Sequence, residues 1–357
     1  IRFRGGVLTP YRVKCRSTMK KKLIVHGGMH KTGSSAIQTL LQNNRDFLAE
    51  KGVLFPVAGT IYHPGIGRRH FYVRETLFDT HERVDGLFND LLIEAKRYDC
   101  HTVILSYENF LSPGNFSPDI VEFIQKNFNV HLLCYFRDPI NYFNTKYKEW
   151  VRRLNFQGEP GDFVLSHFGY INWEEMLERW MTHFGSEGVA CREFDKAAFL
   201  DGKIEFDFIE YLSKVTGVDF SGISVGGSAV NPSFNNDQVL VSLMRNRYFG
   251  GYQALSPRQK KIYRSYIRSL DGSARNGLIL SKTVANFLKS HSEGDREYVA
   301  KRMGVVFDIP AISNLSFDDS YQCIHRRAQI KRSLERRLSS RFSWIYSANT
   351  WITSGQI

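Results

Sequence analysis

Along the first half of the chain, short apolar runs alternate with stretches in which apolar residues recur every three or four positions. The runs at 23–26, 53–55, 102–106, 130–136 and 189–192 read as strands. The stretches 34–50, 84–98, 117–127, 139–154 and 173–184 carry the period of amphipathic helices. Strand and helix in alternation predict an α/β, P-loop-like three-layer fold, with a central parallel sheet flanked by helices. Beyond residue 205 the pattern changes to helical segments near 206–216, 235–247, 256–269, 279–289 and 293–303, so the C-terminal part is mainly helical. The glycine- and serine-rich stretch from Asp219 to Asp237 reads as a long loop with the length of a lid.

With 357 residues and 42% hydrophobic content, the chain can bury one substantial core. No apolar run approaches the roughly 18 residues of a membrane helix, and the first twenty positions lack the apolar centre of a secretory signal. The expected location is therefore cytoplasmic. Residues 1–18 are basic and patternless, and Met19 leads directly into the first strand, so 1–18 is expected to be a disordered or non-native extension. The main domain is expected over 19–305, with a basic extension over 306–357. Five scattered cysteines without C-x-x-C spacing read as reduced thiols. A formal net charge of +12 points to anionic partners. In the basic tail, Ile330, Leu334, Leu338 and Phe342 fall four apart on one helix face, which suits either packing on the domain or peripheral contact with an anionic membrane.

Chemistry first shows in the stretch IVHGGMHKTGSSAIQTLL, Ile24 to Leu41. An apolar strand runs into glycines, a lysine and three hydroxyls, then an amphipathic helix. Glycines let backbone N–H groups face an anion, and the helix start favours negative charge. The order Lys31-Thr32-Gly33-Ser34-Ser35 differs from the nucleoside-triphosphate loop G-x-x-x-x-G-K-[ST]. It suits a phosphate-like anion without pointing to ATP. In open parallel sheets, ligands sit beyond the carboxyl ends of the strands. That rule selects Lys31 after the first strand, Glu108 after 102–106 and Arg137 after 130–136. Arg137 is followed by Asp138-Pro139, a helix cap and first helical residue, and Thr145 lies two turns further on.

A strand followed by HKTGSS, and a later strand ending in FRDP with a hydroxyl eight residues after the arginine, together resemble the sulfotransferases that use 3'-phosphoadenosine 5'-phosphosulfate (PAPS), particularly their bacterial carbohydrate-type members. The resemblance covers most of residues 22–305. It implies that Lys31, Thr32, Gly33, Ser34 and Ser35 hold the 5' end of PAPS, and that Arg137 and Thr145 hold its 3'-phosphate. Thr145 stands where serine is usual. The implied reaction moves a sulfuryl group to a hydroxyl of a carbohydrate or glycoconjugate, with Lys31 stabilising the leaving oxygen. It needs a base within reach of the acceptor. Glu108 and His70 are the two candidates. No spacing suggests a metal site, and no nucleic-acid motif is present. The competing reading is a P-loop kinase or NTPase, which would need the G-K-[ST] order and a strand ending in a magnesium-binding aspartate.

Overall fold

The computed structural model describes residues 20–63, 67–78, 84–112, 114–226, 234–272, 277–307, 309 and 311–339. The expected extension 1–18, the middle of the expected lid (227–233) and the end of the basic tail, Phe342 included, lie outside the described residues.

The strands are β1 (Lys21–Gly28), β2 (Val53–Leu54), β3 (Ile61–His63), β4 (Gly67–Arg69), β5 (Thr102–Ser106), β6 (Phe128–Phe136) and β7 (Val189–Glu193). Five of them form one sheet in the order β2-β5-β1-β6-β7, with every neighbouring pair parallel. A parallel sheet is covered on both faces, and so its strands are apolar throughout. In β1 the even positions differ from the odd ones only in the layer they meet. Ile24 packs with Ile104, Leu133 and Ile37, whereas Leu23 and Val25 pack with Leu105, Leu132 and Ile124. Helices α1 (Ser34–Asn43), α2 (Arg45–Glu50) and, later, α9 (Ile204–Thr216) cover the first face. Helices α4 (Val84–Arg97), α5 (Pro118–Asn127), α6 (Pro139–Arg153) and α8 (Trp173–Phe184) cover the second. The three-layer α/β architecture expected from the alternation is the one observed.

Three differences have local causes. The expected helix over 34–50 is broken at Asn44, whose side chain turns back to Leu40 O (2.9 Å) and also exchanges hydrogen bonds with the backbone of Ser224. The break therefore anchors the described beginning of the long loop. Strands β3 and β4 make a separate antiparallel hairpin with its turn outside the described residues, and three residues each is too short for periodicity to reveal. Helices α3 (Phe71–Phe78) and α7 (Pro160–His167) escaped the pattern for the same reason.

The C-terminal layer comprises α10 (Asn236–Phe249), α11 (Pro257–Arg268), α12 (Lys282–His291), α13 (Glu293–Met303), α14 (Asp319–Gln322) and α15 (Ile324–Leu338). Helix α10 is buried on nearly all sides, and α15 packs on it and on α11. Ile330, Leu334 and Leu338 all join the same core as Trp173 and Phe143. Ile330, Leu334 and Leu338 of the tail's apolar stripe face protein, and the exposed positions of α15 include Arg332, Arg336 and Arg337 alongside Ile324, His325 and Gln329. No helix among the described residues is long and apolar enough to cross a membrane.

A candidate anion-binding active site at the sheet edge

The strand register sets the site. His26 of β1 lies opposite Ser106 of β5, and Gly28 of β1 lies opposite Tyr135 of β6. The three strands therefore end nearly level, and the segments carrying Glu108, Met29–Gly33 and Arg137 leave the carboxyl edge side by side.

The middle segment is built from backbone. Gly28 has φ +134, and a Cβ there would stand 2.9 Å from the main-chain N and O of Tyr135. Only glycine lets β1 run so close to β6 before turning. Met29 N–H then donates to Tyr135 O, and the Thr32 hydroxyl donates to Met29 O at 2.6 Å to close the turn. Lys31 takes a left-handed conformation (φ 69), uncommon for a residue with a side chain and recurrent at ligand sites. Gly33 (φ 78) precedes α1, where a Cβ would meet Ile204 at 2.9 Å and Phe194 at 3.1 Å. No side chain caps α1 and no acid sits in its first turn. Ala36 N–H turns back to Gly33 O, and the N–H groups of Ser34 and Ser35 are left for an external acceptor. The Ser34 hydroxyl is buried and lacks a partner among the described residues. A buried polar atom left unmatched is costly unless a ligand completes it. Ser35 is exposed at the same helix start.

The sequence assigned Thr32 a ligand contact. Its side chain is fully buried and its hydroxyl is engaged within the turn, so its contribution to an anion reduces to main chain. Lys31 Nζ pairs with Glu149 of α6 at 2.7 Å, and Glu149 also faces Arg153 at 3.5 Å. Burial alone would raise the Glu149 carboxyl. The hydrogen bond and charge of Lys31, with Lys146 and Arg153, outweigh that and hold it below its ordinary range.

The second segment is built from side chains. Asp138 caps α6 by accepting from Asn141 N–H at 2.9 Å, and among the described residues it makes no ion pair with Arg137. The Arg137 guanidinium lies 5.7 Å from the centre of the Phe194 ring, and no ion pair engages it among the described residues. Burial depresses its pKa, with Asp138 opposing, yet an arginine stays charged. A half-buried guanidinium without a carboxylate is a site for an anion from outside. Thr145 is half-buried two turns along α6, and Phe194 touches the positions of both Arg137 and Gly33. The two segments therefore belong to one region.

Glu108 opens a short 3-10 turn, Glu108–Leu111, directly after β5 and Tyr107. Together with Gly28, Met29, His30, Asn109, Tyr142, Tyr170, Trp173 and Met176, it lines a narrow cleft of about 320 Å³, its open mouth included. Glu108 Oε2 and Trp173 Nε1 are buried and lack partners among the described residues. His70 is elsewhere. It is fully buried, accepts from Ser106 N–H through Nδ1 at 3.1 Å and packs on Phe55. Loss of solvent lowers its pKa to about 3. It does not line the cleft, and its accepting nitrogen is already engaged, so the structure brings Glu108 and not His70 beside the loop.

Sequence reasoning missed His30 and Lys146. His30, next to Lys31, faces the cleft. Burial, and after it the charge of Lys146, lower its pKa to about 4, against the opposing pull of Glu149 and a hydrogen bond with Asn109. Lys146 is 4% exposed on α6. The signal was in the helix period: Lys146 lies three residues after Phe143 and four before Trp150, on the apolar face. Among the described residues, no group of three or more His, Cys, Asp or Glu side chains converges as a metal site.

No protein-family model matches the chain. A protein of Archaeoglobus fulgidus, itself described only as uncharacterized, is 25% identical over 247 residues, covering 66% of this chain and 63% of that protein's length. The chain thus spans less than two thirds of the relative it matches. A crystal structure of retinol dehydratase in a complex with retinol and PAP overlaps 82% of this chain and 84% of that one at 10% identity, with a TM-score of 0.28. A similarity of that size carries no argument, and the functional reading rests on the site itself.

Proposed function

We propose that the protein is a sulfotransferase that moves a sulfuryl group from PAPS to a hydroxyl of a carbohydrate or glycoconjugate. One observation carries this reading. An uncapped helix start with an unmatched buried hydroxyl, Ser34, lies beside the strand exit that bears an unpaired guanidinium, Arg137. Two anion sites in one region call for a ligand with two separate anionic ends. The 3'-phosphate and 5'-phosphosulfate of PAPS are such ends, and the residue types fit them.

PAPS supplies an activated sulfuryl group on a phosphate leaving group. The Gly33–Ser35 backbone and the Ser34 hydroxyl hold the 5' end, and Arg137 with Thr145 holds the 3'-phosphate. Lys31 places a cation where negative charge grows as the sulfur–oxygen bond to phosphate breaks. Glu108, which lines the cleft and carries a buried, unmatched oxygen, receives the proton of the acceptor hydroxyl as the new oxygen–sulfur bond forms. The half-buried ring of Tyr170 and the polar groups of Glu108 and Asn109 at the cleft support a sugar acceptor.

The test is calorimetric titration with 3'-phosphoadenosine 5'-phosphate, with AMP and magnesium-ATP as competitors. Tight binding that requires the 3'-phosphate is expected. Preference for magnesium-ATP would replace this reading with the P-loop nucleotide enzyme.

A further inference from the structure

Lys146 poses a question that the loop residues do not answer. Its side chain is almost wholly buried on the apolar face of α6, yet no carboxylate pairs with it and no hydrogen bond engages its ammonium among the described residues. Its one specific contact is the ring of Tyr170, 5.5 Å from Nζ to the centroid. The nearest acid on its own helix, Glu149, is already bound by Lys31 and faces Arg153. An ammonium so nearly cut off from water and left without a carboxylate is costly to keep charged, and an anion that reaches its remaining opening would complete the site. The charges that act on it come from the groups of the proposed reaction: Glu149, Lys31 and Glu108, in that order. His30 and Tyr170, which feel its charge or contact it, both line the cleft.

We propose that Lys146 is a second anion-binding cation of this site, holding the sulfuryl oxygens between Lys31 on the leaving-group side and Glu108 on the acceptor side. This rests on the sulfuryl-transfer reading for its role, but not for the existence of the site. In the transfer, the acceptor oxygen bonds to sulfur and the sulfur–oxygen bond to phosphate breaks. The bond's electron pair stays on the phosphate oxygen near Lys31, and the acceptor proton goes to Glu108. Lys146 gives up no proton, and its charge offsets that of the sulfuryl oxygens as they pass from one oxygen to the other.

Burial lowers the Lys146 pKa to about 8, with Glu149 opposing and Lys31 assisting. The groups facing it are Lys31 and His30 from the β1–α1 loop, Glu108 from the turn after β5, Glu149 and Tyr142 from α6, and Tyr170. Between pH 7 and 9 His30 is already neutral, Glu149 is already charged, and burial raises Tyr142 out of the range. Anion affinity in the free protein should therefore fall as pH rises through about 8, by about tenfold between pH 7 and 9.

Sulfate is the probe, because its charge does not change over that range. Calorimetric or competition titrations at pH 7, 8 and 9 should show the fall in the wild-type protein. In Lys146→Arg, binding should persist with the slope removed, since the guanidinium does not titrate. In Lys146→Met, binding should be weak and flat, with the thermal midpoint maintained or raised. A flat wild-type profile, no sulfate binding at pH 7, or a slope that survives in Lys146→Met overturns the proposal. Titration with 3'-phosphoadenosine 5'-phosphate at pH 7 is the separate arm. Its failure alongside a Lys146-dependent sulfate slope removes the cofactor reading and leaves the anion site standing.

Discussion

The two segments proposed to bind anions at the sheet edge are made differently. The β1–α1 loop is a backbone device: two glycines at positive φ, a left-handed lysine, a hydroxyl closing the turn and a helix start without a cap. The β6–α6 exit is a side-chain device, in which a capped helix of ordinary geometry carries Thr145 and an arginine stands unpaired in front of it. A backbone site loses a donor only to proline, but it collapses if a glycine acquires a Cβ. A side-chain site loses affinity with one residue while its fold persists. On the proposed function, the chemistry would fall to the first kind, where position must be held to a fraction of an ångström, and cofactor selection to the second.

The largest expected effect lies at the loop's one cationic side chain. Lys31→Ala should lower the transfer rate at saturating PAPS on the order of 10²- to 10³-fold, as removal of a single charge-stabilising donor does elsewhere. Backbone donors remain, so binding of 3'-phosphoadenosine 5'-phosphate should weaken far less. Rates within tenfold of wild type would end the case for Lys31 at the leaving oxygen.

Glu108→Gln should follow, at roughly 10²-fold in rate with little change in cofactor affinity. His70→Gln is its control: rate at saturating substrate is expected to hold while the melting temperature drops, because a buried imidazole that accepts from Ser106 is a packing element. The opposite outcome, a stable His70 variant without activity, would reverse the two assignments.

For the side-chain site, Arg137→Ala should weaken 3'-phosphoadenosine 5'-phosphate by about 2 kcal/mol, or roughly 30-fold, and leave AMP binding nearly unchanged. Equal losses for both ligands would place Arg137 away from the 3'-phosphate.

Much of this was legible in the sequence, for physical reasons that also explain what was not. Strands buried on both faces announce themselves as apolar runs, and β5 is found at the very residues its run predicts. The strand-to-helix turn was legible because glycines at fixed places before an amphipathic helix mark such a turn. Thr32 shows the limit: a hydroxyl in the right place can serve the turn rather than a ligand. His70 shows another, since its chemistry suited a base but its burial depends on a hairpin too short to be periodic. Glu149 was hidden because its meaning lies in a contact between α6 and a loop more than a hundred residues earlier in the chain, and Lys146 because its burial depends on how α6 packs. One trace of it was present, a lysine on the apolar face of α6.

The smallest expected effect concerns the point where the two segments meet. Helix α6 supplies Thr145 to the side-chain site, and one turn later it supplies Glu149, which holds the lysine of the backbone site. In the free protein this carboxylate occupies the cation that a phosphosulfate would need. Binding must therefore break a pair that is partly open to solvent, and such a pair contributes at most about 1 kcal/mol. Glu149→Gln removes the competing charge and raises the local positive potential, and both changes favour an anion. Affinity for 3'-phosphoadenosine 5'-phosphate should tighten by up to about fivefold, with the ionic-strength dependence of binding becoming steeper. Weaker binding would give Glu149 the opposite role. It would then hold Lys31 in the geometry that receives the ligand, and the two segments would be coupled by positioning rather than by competition.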